Sequence, residues 1–417
     1  MPATKTQLST LGKLQRASAA SALLAKLSTE EKNRILRQMA DALLRDQERV
    51  LAASSMAVAS ATEHGAPIDR LMLNAERITA MAASVRAIAD LPDPVGEVIS
   101  EWTRPNGLRI RKLRVPVGVI GVVYESRPNV TVDAAALAIK SGNAVVLRGG
   151  REAAWTNEAL VEILSEVKGL PEGAIELLDS NSRESVDELI RARGLVDVVI
   201  PRGGHELIEH VVEHATVPVI ETGAGNCHVY VDESADFEMA DAIVLNAKTQ
   251  RPSTCNAAEK LLIHRRVAAE YVPRIVRKLH GAGVEVRGDA EVCRLAYQQV
   301  VAPASEEDWS TEYLDLRIAI GIVGNVEEAI EHINRYSTRH SECIVTEVEA
   351  NARQFLNEVN SAAVYWNAST RFTDGGEFGF GAEVGISTQK LHCRGPFAVA
   401  ELTTTKYHIF GTGQVRA

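Results

Sequence analysis

The sequence predicts an α/β fold built as two doubly wound lobes, on three observations. From residue 116 onward, short apolar runs alternate with helical segments, the signature of a parallel sheet covered by helices. The alternation resumes from about residue 235 with no composition break or Pro-rich linker in between. The 417 residues suffice for two or three domains at roughly 150 residues each.

The first ninety residues read as helical. Ser28-Thr29-Glu30-Glu31 is a capping-box pattern, and Ile35, Met39, Leu43, Leu44, Val50 and Leu51 follow at helical spacing. Pro92 and Pro94 end that region. The stretch 98–113 alternates around Pro105-Asn106-Gly107, which predicts a β-hairpin. Strands are then expected at 117–124, 144–148, 174–178, 196–200 and 217–220, with helices between them. In the second stretch LLIH, LRIAIGIV, CIVT and AAVYW are the strand candidates.

Composition excludes several functions. Lys plus Arg number 45 against 55 Asp plus Glu, a net charge of −10, so nothing calls for nucleic acid or an anionic membrane as partner. No run of 18 uncharged apolar residues occurs, so no membrane span is expected. The N-terminus lacks the apolar core of a secretory signal, and the five cysteines contain no CxxC. A reducing cytoplasm is the expected compartment, where a thiol stays available as a nucleophile.

Neither GxGxxG after a strand nor GxxxxGK[ST] is present. Two Gly-Gly pairs at strand ends remain, in Arg148-Gly149-Gly150-Arg151 and Arg202-Gly203-Gly204. Either suits a phosphate, because bare glycines admit close approach and a following helix adds partial positive charge. Either also suits a plain tight turn. His210-Val-Val-Glu213-His214 has the HxxEH form of a metallopeptidase class. Its place between two strands of a parallel sheet favours a crossover helix instead, and no metal is expected. Cys293, Cys343 and Cys393 read as small core hydrophobes. Cys255 differs: Pro252, Ser253, Thr254 and Asn256 place it in a loop before an apolar strand, and nearby Arg251 favours a thiolate.

Four long segments carry a resemblance. VPVGVIGVVYESRPNVTVDAAALAIKSGNAVVLRGG, ETGAGNCHVYVD, NAKTQRPSTCNAAEKLLIH and FGFGAEVGISTQKLHCRGPFAVAELTTTKY, in that order, resemble the aldehyde dehydrogenase superfamily, in its branch that reduces an acyl phosphate. The resemblance implies an aldehyde-dehydrogenase-like fold with a small β oligomerisation flap. It divides the chain into an NADP-binding lobe over 1–230, a catalytic lobe over 231–380, and a return to the cofactor lobe over 381–417. The hairpin at 98–113 and the C-terminal run from Ala398 to Phe410 would pair across subunits, giving a homodimer or a homotetramer.

The implied reaction is reduction of L-glutamyl 5-phosphate by NADPH to L-glutamate 5-semialdehyde and phosphate, the second step of L-proline synthesis from L-glutamate. Cys255 matches the catalytic cysteine that forms a thioester, and Asn129 in ESRPN matches the oxyanion asparagine. Glu221 aligns with the general base of hydrolytic relatives, a role that a reductase must suppress. Arg148, Gly149, Gly150 and Arg151 fall where the adenosine ribose is met, and two guanidinium groups there suit a 2′-phosphate. Gly203 and Gly204 match the loop beside the pyrophosphate, and Glu312 the glutamate that holds the nicotinamide ribose. Arg127, Arg251 and Arg371 are the candidates for the substrate's anions, with Asp374 and Glu377 for its ammonium. The lability of an acyl phosphate makes glutamate 5-kinase a conceivable partner. A hydrolytic aldehyde dehydrogenase using Glu221 is the rival of the same fold, and a metal-dependent hydrolase using His210 and His214 the rival of another class.

Overall fold

Four helices lead the chain: α1 (Thr10–Leu24), α2 (Thr29–Arg45), α3 (Gln47–Glu63) and α4 (Ala75–Asp90). They belong to a computed structural model that describes residues 8–63, 68, 71–125, 127–297 and 299–416. The capping box before α2 forms as its residues predict. Ser28 Oγ accepts from Glu31 N at 3.2 Å, and Glu31 Oε2 accepts from Ser28 N at 2.8 Å. The apolar stripe of α2 is fully buried at Ile35, Leu36, Met39 and Leu43, and α2 packs against α4.

The chain divides into two compact units. The first holds everything up to Thr222 together with Gly379–Gly385 and the chain from Phe397 onward. After the hairpin of β1 (Val98–Thr103) and β2 (Arg109–Pro116) come β3 (Val119–Tyr124), β4 (Ala144–Arg148), β5 (Ile175–Leu177) and β6 (Val198–Arg202). The last four form a parallel sheet in the order β5-β4-β3-β6. Helices α5 (Pro128–Lys140), α6 (Ala154–Ser165), α7 (Glu184–Ile190) and α8 (His205–His214) alternate with them. The expected strand at 217–220 reduces to a single bridge between Val219 and Val199. Pro218 has no N–H to give a ladder, although its carbonyl accepts from Val199 N at 2.9 Å. Because β4 lies on one side of β3 and β6 on the other, the chain reverses direction across the sheet there. The adjacent ends at Tyr124 and Arg202 mark the switch point at which such sheets bind ligands.

The second unit comprises Gly223–Phe378 and Ile386–Pro396. Its strands are β7 (Cys227–Val231), β8 (Ala258–His264), β9 (Glu285–Gly288), β10 (Ala302–Pro303), β11 (Arg317–Val323), β12 (Ser341–Val345) and β13 (Ala363–Trp366). All pair parallel, in the order β10-β9-β11-β8-β7-β12-β13. Helices α9 (Phe237–Thr249) and α10 (Arg265–Gly281) flank β8 in sequence. Val229, Leu261, Ile263, Val272, Ile275 and Ile320 stand in one fully buried core.

Two short strands, β14 (Gly385–Ser387) and β15 (Gly395–Phe397), lead to the final strand β16 (Thr403–Phe410). Here the hairpin and the C-terminal run pair with each other inside one chain. β2 lies in register with β1 on one side and with β16 of its own chain on the other, from Thr403↔Pro116 to Phe410↔Arg109. The alternating residues of β2 thus find both antiparallel partners within one chain. No helix among the described residues is long and apolar enough to cross a membrane.

Candidate active site

In the second unit the site is built around the turn that precedes β8. Thr254 Oγ1 donates to Arg251 O at 2.8 Å, and Ala257 N donates to Thr254 O at 3.0 Å, which curls the chain at Cys255. Asn256 fastens that turn from below: its Nδ2 donates to Thr373 O at 2.9 Å, and its carbonyl accepts from Thr370 Oγ1 at 2.7 Å. The short 3₁₀ turn Thr370–Phe372 so delivers Arg371 to the cysteine loop. Arg371 Nη1 donates to Thr254 Oγ1 at 2.9 Å, and Nε donates to Gln250 Oε1 at 2.8 Å. Burial depresses the Arg371 guanidinium from its ordinary range, the charge of a Cys255 thiolate opposes that, and the like charge of Arg251 adds to it. Two cations that repel one another beside a thiol form a place for anions.

The back of the loop is closed by the segment Gly225–Cys227. Cys227 Sγ donates to the Cys255 carbonyl at 3.2 Å. A Cβ on Gly225 would fall 1.3 Å from that same oxygen, so only a glycine passes there. Glu312, expected at a ribose, here accepts from Gly225 N at 2.6 Å. Its own loop is tied down from β8: Lys260 Nζ donates to Thr311 O at 2.7 Å, and Glu259 Oε2 accepts from Tyr313 N at 3.2 Å. Both side chains are buried, with Lys248 at 3.2 Å from Glu259. Burial raises the carboxyl and lowers the ammonium. Sequence reasoning missed this set, whose only signal is Glu259-Lys260 inside an otherwise apolar strand.

In the first unit, Asn129 stands exposed on the first turn of α5, and Arg127 is the residue that caps it. Glu221 is half-buried at the end of that unit. At the switch point Gly204 caps α8 without a side chain, and its N–H donates to Glu125 Oε2 at 2.9 Å. A carboxylate therefore already sits where the helix dipole favours an anion. A Cβ on Gly203 would lie 2.7 Å from Glu125 Cδ, and one on Gly149 2.2 Å from Asn157 Nδ2. That Nδ2 is buried and finds no hydrogen-bond partner among the described residues. The crevice thus offers bare backbone and an anion-accepting helix end, which fits a dinucleotide.

The two arginines at β4 separate. Arg148 donates to the carbonyls of Gly149, Ser180 and Ser182 at 3.0–3.3 Å and so tethers the next loop. Arg151 is exposed. Glu152, unremarked in the sequence, folds back so that a Cβ on Gly150 would meet its Oε1 at 2.5 Å.

The HxxEH pair is a surface feature. His210 Nε2 lies 3.1 Å from Asp187, and its ring stacks on His214 at 4.5 Å. Among the described residues no group of three His, Cys, Asp or Glu stands close enough to hold a metal.

Comparison with known proteins identifies the lineage. A model of the aldehyde dehydrogenase family matches residues 5–292. The gamma-glutamyl phosphate reductase of Koribacter versatilis is 60% identical over 409 residues, spanning 98% of this chain and 100% of that protein. The crystal structure of gamma-glutamyl phosphate reductase from Thermotoga maritima is 50% identical with a TM-score of 0.94, covering 98% of this chain and 100% of that one. An acetylating aldehyde dehydrogenase from Geobacillus thermoglucosidasius, 20% identical with a TM-score of 0.71, covers 98% of this chain and 97% of its own and shares the fold. The chain belongs to the aldehyde dehydrogenase family, within its branch of gamma-glutamyl phosphate reductases.

Proposed function

We propose that this enzyme reduces L-glutamyl 5-phosphate to L-glutamate 5-semialdehyde and phosphate with NADPH, in the second step of L-proline synthesis, through a thioester on Cys255. The observation that carries the reading is Arg371 bound to the turn of that thiol, with Arg251 at the start of the same turn. Their charge favours the thiolate, which attacks the acyl carbon. The carbon–oxygen bond to phosphate then breaks, the phosphate takes up the proton that the thiol gave up, and the same two guanidinium groups receive the resulting dianion. Asn129 and the Cys255 N–H are assigned to the oxyanion of each tetrahedral stage. A bound nicotinamide cofactor supplies the hydride that reduces the thioester. Cys255 then leaves as thiolate and is ready for the next acyl group.

Gly203, Gly204 and the start of α8 at the switch point would hold the cofactor's pyrophosphate. Arg151, rather than the tethered Arg148, is the partner for a 2′-phosphate. Glu152 beside Gly150 is the feature that a ribose-binding NAD site would also use, so the ratio of kcat/KM for NADPH and NADH decides between them. Replacing Glu125 with Gln removes the carboxylate that shares the α8 terminus with the cofactor's phosphates. The cofactor KM should then fall about two- to fivefold. An unchanged or higher KM would place the pyrophosphate elsewhere.

Homo-oligomers are supported by the flap. The outer edges of β1 and β16 are unpaired among the described residues, while Trp102, Tyr407, Ile409 and Phe410 stand exposed on them. Five cysteines outside any disulfide suit a reducing cytoplasm, and the lability of the acyl phosphate suits delivery from glutamate 5-kinase.

The reaction is tested in reverse, with glutamate 5-semialdehyde, NADP⁺ and inorganic phosphate. Reduction of the nicotinamide should require phosphate. Turnover indifferent to phosphate would give Glu221 the base role of the hydrolytic rival.

A further inference from the structure

The proposed substrate carries an α-ammonium four bonds from its acyl carbon, about 5 Å in an extended chain. Recognising it takes an anion within that reach of the oxyanion asparagine. Asp374, one of the two carboxylates the sequence offered, is spent on its own turn, where Oδ1 accepts from Gly376 N at 2.8 Å and Glu377 N at 3.3 Å. Another carboxylate is better placed. Asp133 stands one helical turn beyond Asn129 on α5, on the same face. Asn129 Nδ2 donates to Asp133 Oδ2 at 3.4 Å, and Ser84 Oγ of α4 donates to its Oδ1 at 3.5 Å.

Both bonds to this half-buried carboxylate are long and come from neutral groups, whereas a carboxylate drawn into a fold ordinarily commands short, charge-assisted ones. Glu383 adds repulsion, and the cation Arg202 has Glu383, at 3.9 Å, as its own ion-pair partner. Burial, with Glu383, lifts the Asp133 carboxyl to about 7, against the opposing pull of Asn129, Arg202 and Ser84. An added cation is what this arrangement lacks.

Building on the proposed reaction, we infer that Asp133 receives the α-ammonium of the substrate and restricts the enzyme to acyl phosphates of α-amino acids. The same contact keeps the product amine protonated. It then has no lone pair to attack the new aldehyde, so the product departs in its open-chain form and cyclises in solution.

The test compares two aldehydes in the phosphate-dependent reverse reaction: glutamate 5-semialdehyde and 5-oxopentanoate, the same chain without the amino group. In Asp133→Asn, KM for the semialdehyde should rise about tenfold or more, the worth of a charge-assisted hydrogen bond. Its kcat should hold, and 5-oxopentanoate kinetics should stay as in the wild type. Equal losses toward both aldehydes would make Asp133 a mere support of Asn129 and overturn the inference. Should thermal unfolding show that Asp133→Asn does not fold, Asp133→Glu decides by the same selectivity ratio, since it keeps the charge but displaces it. A partial fall in preference for the amino compound supports the contact, and an unchanged ratio overturns it. Wild-type enzyme that oxidises neither aldehyde with phosphate defeats the proposed reaction itself, whereas wild-type turnover of both without preference defeats only the Asp133 assignment.

Discussion

Exchanging Cys255 for serine is expected to lower kcat of the phosphate-dependent reaction on the order of 10⁴-fold or more. A serine in this turn keeps the hydrogen bonds of the Arg251–Ala257 backbone and the anchoring of Asn256, so the melting temperature should hardly move. What it loses is the charge on the nucleophile. Arg371 and Arg251 can favour a thiolate because a thiol ionises within reach of neutral pH, but they cannot do the same for an alcohol. The acyl step therefore fails first. Mass spectrometry supplies the second readout: the wild-type protein incubated with an acyl donor should carry the acyl group on Cys255, and the variant should carry none. A variant that keeps a tenth of the activity would remove Cys255 from the covalent route.

How much of this was legible in the chain differs from element to element. The strands of the first sheet announce themselves as continuous apolar runs, because parallel strands are buried on both faces. CHVYV, the interior strand β7, did not, since its alternation of polar and apolar residues imitates a surface strand. Every residue of it is buried, and Glu342 is buried beside the polar one: its Oε2 lies 3.2 Å from His228 Nδ1 and accepts the His228 main-chain N–H at 2.6 Å. The strand expected at 217–220 failed for the opposite reason, as apolar composition outweighed the missing N–H of Pro218. Cys255 and Asn129 were proposed through motif likeness, which needs no coordinates.

Their supports were not legible. Glu312 meets Gly225 across 87 positions of sequence, and nothing in STEYLDLRIAI indicates that its carboxylate grips a glycine N–H. Arg148 read as a phosphate ligand because strand ends supply such ligands. It donates instead to the carbonyls of Ser180 and Ser182, where the next loop turns. Asp133 was hidden in VTVDAAALAIK, where one carboxylate in an apolar helix looks like a solvated interruption.

Gly225→Ala is the sharpest test of how the nucleophile is held. The added carbon would stand 1.3 Å from the Cys255 carbonyl oxygen and 2.2 Å from its carbonyl carbon, well inside any van der Waals contact. That obstacle is backbone, so no rotamer change relieves it. One of the two segments must retreat, and each is fixed: Glu312 grips Gly225 N, while Asn256 grips the turn of Cys255. A displacement on the order of 1 Å of a reacting group costs about 10²-fold in rate, and the overpacking itself costs about 1–3 kcal/mol of stability. Activity should fall at least that far, with a lowered melting temperature. Gly223→Ala, two residues earlier, is the comparison. The atoms nearest its new carbon belong to the side chain of Thr388, at 2.4 Å for Cγ2, which has a χ1 rotation available to move away. The loss there should be roughly tenfold smaller. If the two alanines prove equally harmless, the Gly225–Cys255 approach does not set the position of the thiol. If they prove equally damaging, the whole loop, rather than this one contact, is what the cysteine leans on.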